Sequence, residues 1–314
     1  MPRVVIPIAA VLAAACVAVV LACRPSSSAS DSASADPTAP CAAYELPVQL
    51  GVVEDGRLTE ISGIAVSAKN PGVIWAHNDS GDGPFVYAMT REGRELGRVK
   101  LAGGWAMDWE DMTMGRCVAN GADDWCLDLA DIGDNDRRRH DLVVYRIVEP
   151  AVDPQAPFGE VQATVERMLF AYPDGPRDAE AIARHPDGTL YILSKERESV
   201  SHIYRFGPDA TRTKTTLEKV GVLKTARGRG ERVTAADIHP SGRRLLVRTY
   251  DSMWEFPVEP GRFIESLLEA RRSHVPFAKV DQGEAVAYDP IRGGVVQIGE
   301  GPRQPIWYTA CRKP

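Results

Sequence analysis

The chain has 314 residues, 44% hydrophobic and 25% charged, with 27 Gly and 23 Pro, a globular composition that excludes a coiled coil, a collagen or a wholly disordered chain. Asp plus Glu outnumber Lys plus Arg by 43 to 37, and the formal net charge of −6 argues against a nucleic-acid partner. The length admits one large domain or two small ones.

The first segment, Val4 to Ala22, is almost wholly apolar and ends Val20-Leu21-Ala22-Cys23. A small residue before a Cys at the end of such a run resembles the lipobox of bacterial lipoproteins. That resemblance implies a signal peptide over 1–22, lipid on Cys23, and attachment of the protein to a membrane through that lipid. An uncleaved anchor is the alternative, since about 20 apolar residues span a bilayer; a plain secretory signal is another. All three put the body in the cell envelope or beyond, outside the cytoplasm. Residues 23–40 are rich in Ser, Ala, Pro and Asp and read as a flexible, lipid-attached linker that buries no core. The folded domain is expected over 41–314. Four cysteines remain there, and an even number outside the cytoplasm predicts two disulfides, Cys117–Cys126 as a local staple and Cys41–Cys311 joining the two ends of the domain.

Three signals then recur in a fixed order. The first opens a strand: Ser62-Gly63-Ile64, Glu110-Asp111-Met112, Glu180-Ala181-Ile182, Ala236-Asp237-Ile238 and Glu284-Ala285-Val286. The second is an apolar strand ending in polar residues, near 73–78, 125–131, 190–195, 245–248 and 295–300. The third carries an aromatic at Tyr87, Tyr145, Tyr204, Trp254 and Trp307. A fourth strand follows most triplets, over 97–101, 167–172, 219–223 and 274–277, and Val48 to Val53 supplies it for the last. Four antiparallel strands repeated at about 50 residues predict an all-β β-propeller. The direct count is five blades, with room for a sixth, degenerate one in 148–165 or 257–275, and the ring closed by the N-terminal strand. One such domain is expected to be monomeric.

In a propeller the loops that enter the inner strands and leave the second strands share one face. Entering are Glu60, Asp108, Glu110, Asp111, Asp178, Glu180, Asp237 and Glu284; leaving are Asp79, Asp82, Asp131, Asp134, Glu196 and Glu300. Crowded carboxylates raise one another's pKa unless a cation neutralises them, and hard oxygen donors favour calcium. Glu60, Glu110, Asp111, Asp178, Glu180, Asp237, Glu284 and Glu300 are therefore the candidate metal ligands. Asp79, Asp131 and Asp134, from two Asp-x-Gly-Asp turns, join Lys195, Arg229 and Arg248 as candidate ligand-binding groups. Asp and Glu here also suit turns and bonds to the amides of neighbouring blades. His77 lies near the same mouth as a candidate acid or base. No Gly-x-Ser-x-Gly, His-Glu-x-x-His or P-loop occurs.

Asp178-Ala179-Glu180-Ala181-Ile182, Gly188-Thr189-Leu190-Tyr191 and Gly283-Glu284-Ala285-Val286-Ala287 resemble phytase-like and esterase-like secreted propellers. The first of these families implies calcium-dependent phosphomonoesterase chemistry at an acidic channel mouth. Trp109-Glu110-Asp111 and Asp131-Ile132-Gly133-Asp134-Asn135 are still more similar to a group of bacterial envelope propellers, which implies no activity. Two functions are thus expected. One is a tethered propeller that binds a small anionic ligand or an envelope protein at an acidic, calcium-binding face. The other is a metal-dependent hydrolase of phosphate esters, with Glu180, Glu284 and Asp111 holding the metal and Arg229, Arg248 and Lys195 the phosphate.

Overall fold

The computed structural model describes residues 1–2, 41–119, 122–197, 200–207, 214–225 and 228–313. The chain divides into two units, Met1–Ala35 and Asp36–Pro314; the second is the β-propeller. The leader, Cys23 and the linker fall on 3–40, outside the described residues.

The chain opens with Ala43–Tyr44 (β1) and Val48–Val52 (β2). Blade 1 follows as Ile61–Val66 (β3), Val73–Asn78 (β4), Phe85–Thr90 (β5) and Glu95–Ala102 (β6). Blade 2 is Trp109–Ala119 (β7), Ala122–Asp131 (β8) and Val143–Val148 (β9), then, after Gly159–Thr164 (β10), Glu166–Ala171 (β11). Blade 3 is Ala179–Arg184 (β12), Leu190–Ser194 (β13), Val200–Arg205 (β14) and, after Thr215–Thr216 (β15), Glu218–Lys224 (β16). Blade 4 is Val233–Ile238 (β17), Arg244–Thr249 (β18), Met253–Pro257 (β19) and, after the helix Phe263–Glu269 (α1), Ser273–His274 (β20). Blade 5 is Ala285–Tyr288 (β21), Val295–Ile298 (β22) and Pro305–Thr309 (β23), with β2 as its outer strand. Cys311–Arg312 (β24) pairs with β1.

The expected triplets are thus the first three strands of each blade, and the closure by β2 stands. The two segments with room for a sixth blade do other work. In 148–165 the chain forms β10, which pairs in parallel with β6 as a fifth strand of blade 1. In 257–275 it forms α1 and β20, the short outer strand of blade 4. Similarly β15 joins β11 in parallel at the edge of blade 2.

The core explains the ring. Five apolar clusters each lie between two successive blades: Trp75 with Trp109 between blades 1 and 2, Phe170 with Ile192 between 2 and 3, Leu193 with Val247 between 3 and 4, Met253 with Val286 between 4 and 5, and Val296 with Ile64 between 5 and 1. A blade is apolar on both faces, so only a closed circle buries all of them. Closure is fastened by the Cys41–Cys311 disulfide, and Cys117–Cys126 ties β7 to β8. Two disulfides are the cysteine usage of an oxidising, extracytoplasmic compartment. Among the described residues no helix is long and apolar enough to cross a membrane.

Candidate functional site

One backbone device builds the channel mouth. Near the start of the inner strand in blades 1 to 4 the register slips by one residue, between Ile61 and Gly63, Trp109 and Asp111, Ala179 and Ala181, and Val233 and Ala235. Such a bulge re-aims its extra residue, and the residues concerned are Ser62, Glu110, Glu180 and Thr234. Glu284 immediately precedes the inner strand of blade 5. A ring of two hydroxyls and three carboxylates therefore surrounds the channel. It also corrects the repeat: the blade 4 counterpart of Glu110 is Thr234, and Asp237 belongs deeper. Asp237 lies among the residues lining the far end of the channel with Thr113, Met114 and Pro240. There its Oδ2 accepts the Tyr288 amide at 2.8 Å, and burial pushes its carboxyl to about 7.

Backbone bonds bring the loops of blades 1 and 2 together above this ring. The Trp109 amide donates to the Asp79 carbonyl at 3.0 Å, and the Gly133 amide donates to the Asp108 carbonyl at 3.1 Å. Asp79, Asp108 and Glu110 converge as a result, with one carboxylate oxygen of each within 4.8 Å of the others. Gly133 leaves them the room. A Cβ there would strike Glu110 Oε1 and would lie 2.5 Å from Asp108 Cγ.

The electrostatics follow from burial and like charge. Desolvation, then Asp108, pushes Asp79 up to about 8. Asp108 is itself raised by burial, against the pull of Asp79 and Arg139. Burial, with Glu180 and Asp79 nearby, holds Glu110 well above the usual carboxylate range. Glu180 is pushed to about 8 by burial despite its ion pair with Lys195. Glu284 reaches about 7 through burial and Glu300, while accepting from the Tyr250 hydroxyl at 3.2 Å. Glu300 is raised by burial and by Glu60, and its Oε2 is buried with no hydrogen-bond partner.

The other expected site residues are placed as follows. Glu60 is exposed beside the mouth. Asp111 is fully buried and reaches across the channel: its Oδ2 accepts the amides of Ile182 at 3.1 Å and Ala236 at 3.2 Å, bracing blades 3 and 4. The small residues at the matching positions, Gly63, Ala181 and Ala235, leave space for it. Asp131 accepts the amides of Met107 and Asp108 and pairs with Arg139 at 2.7 Å. Asp134 caps the amides of Arg138 and Arg139, both at 2.8 Å. Asp178 accepts the Asp134 amide at 3.1 Å. Glu196 pairs with Arg137 at 2.7 Å. Asp82 accepts from Asn78 and Tyr87. The structure thus brings together Asp79, Asp108 and Glu110, with Glu180, Glu284 and Glu300 around them. It does not bring Asp111 or Asp237 into that group.

Two of the candidate cations have partners within the protein. Lys195 is bound to Glu180 and sits 5.4 Å from the Tyr250 ring centre. Arg248 is buried beneath Gly283, whose missing Cβ its guanidinium would meet. It lies 4.3 Å over Phe277 and donates to the Ser252 carbonyl at 3.2 Å; burial lowers it to about 10. Arg229 opens the 3-10 turn Arg229–Glu231; its side chain is outside the described residues. His77 is fully buried, edge-on to Trp109, with Nδ1 2.9 Å from the Asn78 carbonyl, and burial lowers it to about 4. Asp108 was visible in sequence as a loop acid, but its place in the trio depends on the next blade's turn. Gly133 was visible only as the glycine of an Asp-x-Gly-Asp turn, and Tyr250 carried no signal of its own.

No protein-family model and no curated protein matches the sequence. Among solved structures, the PQQ-bound form of aldose sugar dehydrogenase from Streptomyces coelicolor is similar with a TM-score of 0.45 and 12% identity, over 87% of this chain and 99% of that one.

Proposed function

We propose that this protein is an extracytoplasmic binding propeller, lipid-anchored through Cys23, whose acidic channel mouth holds a divalent cation and presents it to an anionic ligand or an envelope protein. The observation that carries the reading is the convergence of Asp79, Asp108 and Glu110 to within 4.8 Å. Three desolvated carboxyls at that distance repel one another, so the apoprotein must retain a proton among them. A cation replaces that proton and satisfies the same oxygens. All the donors are hard carboxylate oxygens, which suits calcium or magnesium over zinc or copper, and calcium's tolerance of irregular, many-oxygen shells suits a site built from two blades.

The hydrolase reading asks for free cations beside the metal to hold a phosphate. Lys195 and Arg248, two of the three expected there, are engaged by Glu180 and Phe277, which favours binding over turnover. The test is a thermal melt in EDTA and then in millimolar calcium, repeated for Asp79→Asn with Glu110→Gln. A rise of several degrees that disappears in the double variant supports the site; no rise in the wild type refutes it. Phosphate-ester turnover that requires calcium and is lost in the same variant would move the assignment to a hydrolase.

A further inference from the structure

The end of the barrel opposite the acidic mouth also exposes apolar side chains. At blade 5, Leu46, Val48 and Ile291 are 78%, 54% and 55% exposed. They share one edge. The Glu45 amide donates to the Ala310 carbonyl at 2.9 Å, Val48 pairs with Tyr308, and Val295, just past the Ile291 turn, pairs with Thr309. Leu46 precedes β2 and Ile291 precedes β22, two strands apart in the sheet and at the same end of blade 5. Exposed Arg292 and Arg312 flank them, and exposed Arg243 comes from the neighbouring turn of blade 4. That turn is held against the same place, since Arg244 Nη1 lies 3.0 Å from Cys41 Sγ. Glu45 is an acid on this edge, and Asp289, in the Ile291 turn, is paired with buried Arg91.

We propose that this surface, formed by Leu46, Val48 and Ile291 with Arg243, Arg292 and Arg312, seats on a bilayer rich in anionic headgroups and turns the acidic mouth away from the membrane. Two observations single out a lipid surface as the occupant. Apolar side chains rimmed by arginines match the boundary between acyl chains and anionic headgroups. The chain also enters the fold here, at Cys41, and 17 residues, 24–40, link it to Cys23, at most about 60 Å of extended chain. The inference rests on the lipid anchor proposed above. That tether holds the patch near the bilayer, where each cation adds on the order of 5-fold to the seated population.

The test uses the full chain on vesicles of phosphatidylcholine and phosphatidylglycerol at roughly 7:3, with nitroxide labels at Ile291→Cys or, on the mouth side, at Trp105→Cys. We expect the label at position 291 to gain collisions with oxygen and lose them with a water-soluble nickel chelate, while that at 105 stays aqueous. Arg243→Gln, Arg292→Gln and Arg312→Gln together should cut the seated population by on the order of 100-fold, and pure phosphatidylcholine should abolish seating. If the chain sediments with the vesicles but both labels stay aqueous, the anchor stands and the seating is refuted. If the chain does not sediment, anchor and seating fall together. Protection of the 291 label without vesicles would assign the surface to a second copy and overturn the proposal.

Discussion

Gly133→Ala tests the cation site without touching a carboxylate. Gly133 does not occupy the left-handed region, so its backbone accepts alanine, and the three atoms nearest the new methyl belong to the side chains of Glu110 and Asp108. Its Cβ would lie 2.5 Å from Asp108 Cγ, where ordinary contact begins near 3.4 Å, so Asp108 must retreat by about 0.9 Å and Glu110 must swing aside. Cation sites tolerate ligand displacements of about 0.2 Å, and moving two of three carboxylates this far should weaken binding by on the order of 100-fold. With calcium at a hundred times the wild-type Kd, the wild type gains about 2.7 kcal/mol and the variant about 0.4. A domain of this size shifts by roughly 2–4 °C per kcal/mol, so the calcium-dependent rise in Tm should fall from about 5–11 °C to 1–2 °C. Melts in EDTA should differ little. A variant that keeps the full calcium shift would show that these three residues are not the site. A large loss of Tm in EDTA would show that the backbone, and not the carboxylates, yields to the methyl.

Three further outcomes are expected. In EDTA, stability should fall as pH rises from about 4 to 8: Asp79, Glu180 and Glu284 are pushed to about 8, 8 and 7, so between those values and the ordinary carboxylate pKa the native state binds more protons than the unfolded chain. Urea titrations across that range check the sign, and saturating calcium should flatten the slope. Asp111→Asn should cost about 2–4 kcal/mol, because Asp111 uses both oxygens to accept the Met112, Ile182 and Ala236 N–H groups and Asn offers one acceptor oxygen, which leaves a buried donor unsatisfied; its calcium shift should persist. Removing Cys41–Cys311, which spans 270 residues, should cost up to about 5 kcal/mol by loop entropy, against about 3 kcal/mol for Cys117–Cys126 at a separation of 9. Equal losses would show that loop closure does not set the stabilisation.

The ring was legible because Ile64, Met112, Ile182, Ile238 and Val286 recur with their second strands and aromatics, a pattern imposed by packing each blade against two others. The strand β10 was not. Gly159–Thr164 is almost wholly exposed, and its apolar alternation is only Val161 and Ala163, of which Ala163 packs against the core, too short a signal beside the 50-residue repeat. Helix α1 went unread although Phe263 and Leu267 repeat at helical spacing, since one short turn of periodicity is weak against a 50-residue repeat. The acidity of the mouth was plain in the loop composition. Which acids converge was not, because Asp79 meets Asp108 across a blade boundary and a bulge decides the aim of Glu110. The mis-set blade 4 repeat shows the same thing: Asp237 matched the local pattern, but register placed Thr234 at the mouth. Arg248 looked like a ligand-facing cation because sequence does not reveal that Gly283 leaves it a place inside.

The parallel strands β10 and β15 also set the order in which the circle can be finished. The outer edge of blade 1 is covered by chain that follows β9 of blade 2, and that of blade 2 by chain that follows β14 of blade 3. The first two blades are laid like roof tiles, each sealed only when the next has been partly made. A nascent chain that stops short of residue 164 thus exposes a whole unpaired strand on blade 1, the kind of edge that recruits foreign strands. In the finished protein β10 and β15 take over as the outermost strands of those two blades, beside β16, β20 and β2 on the other three.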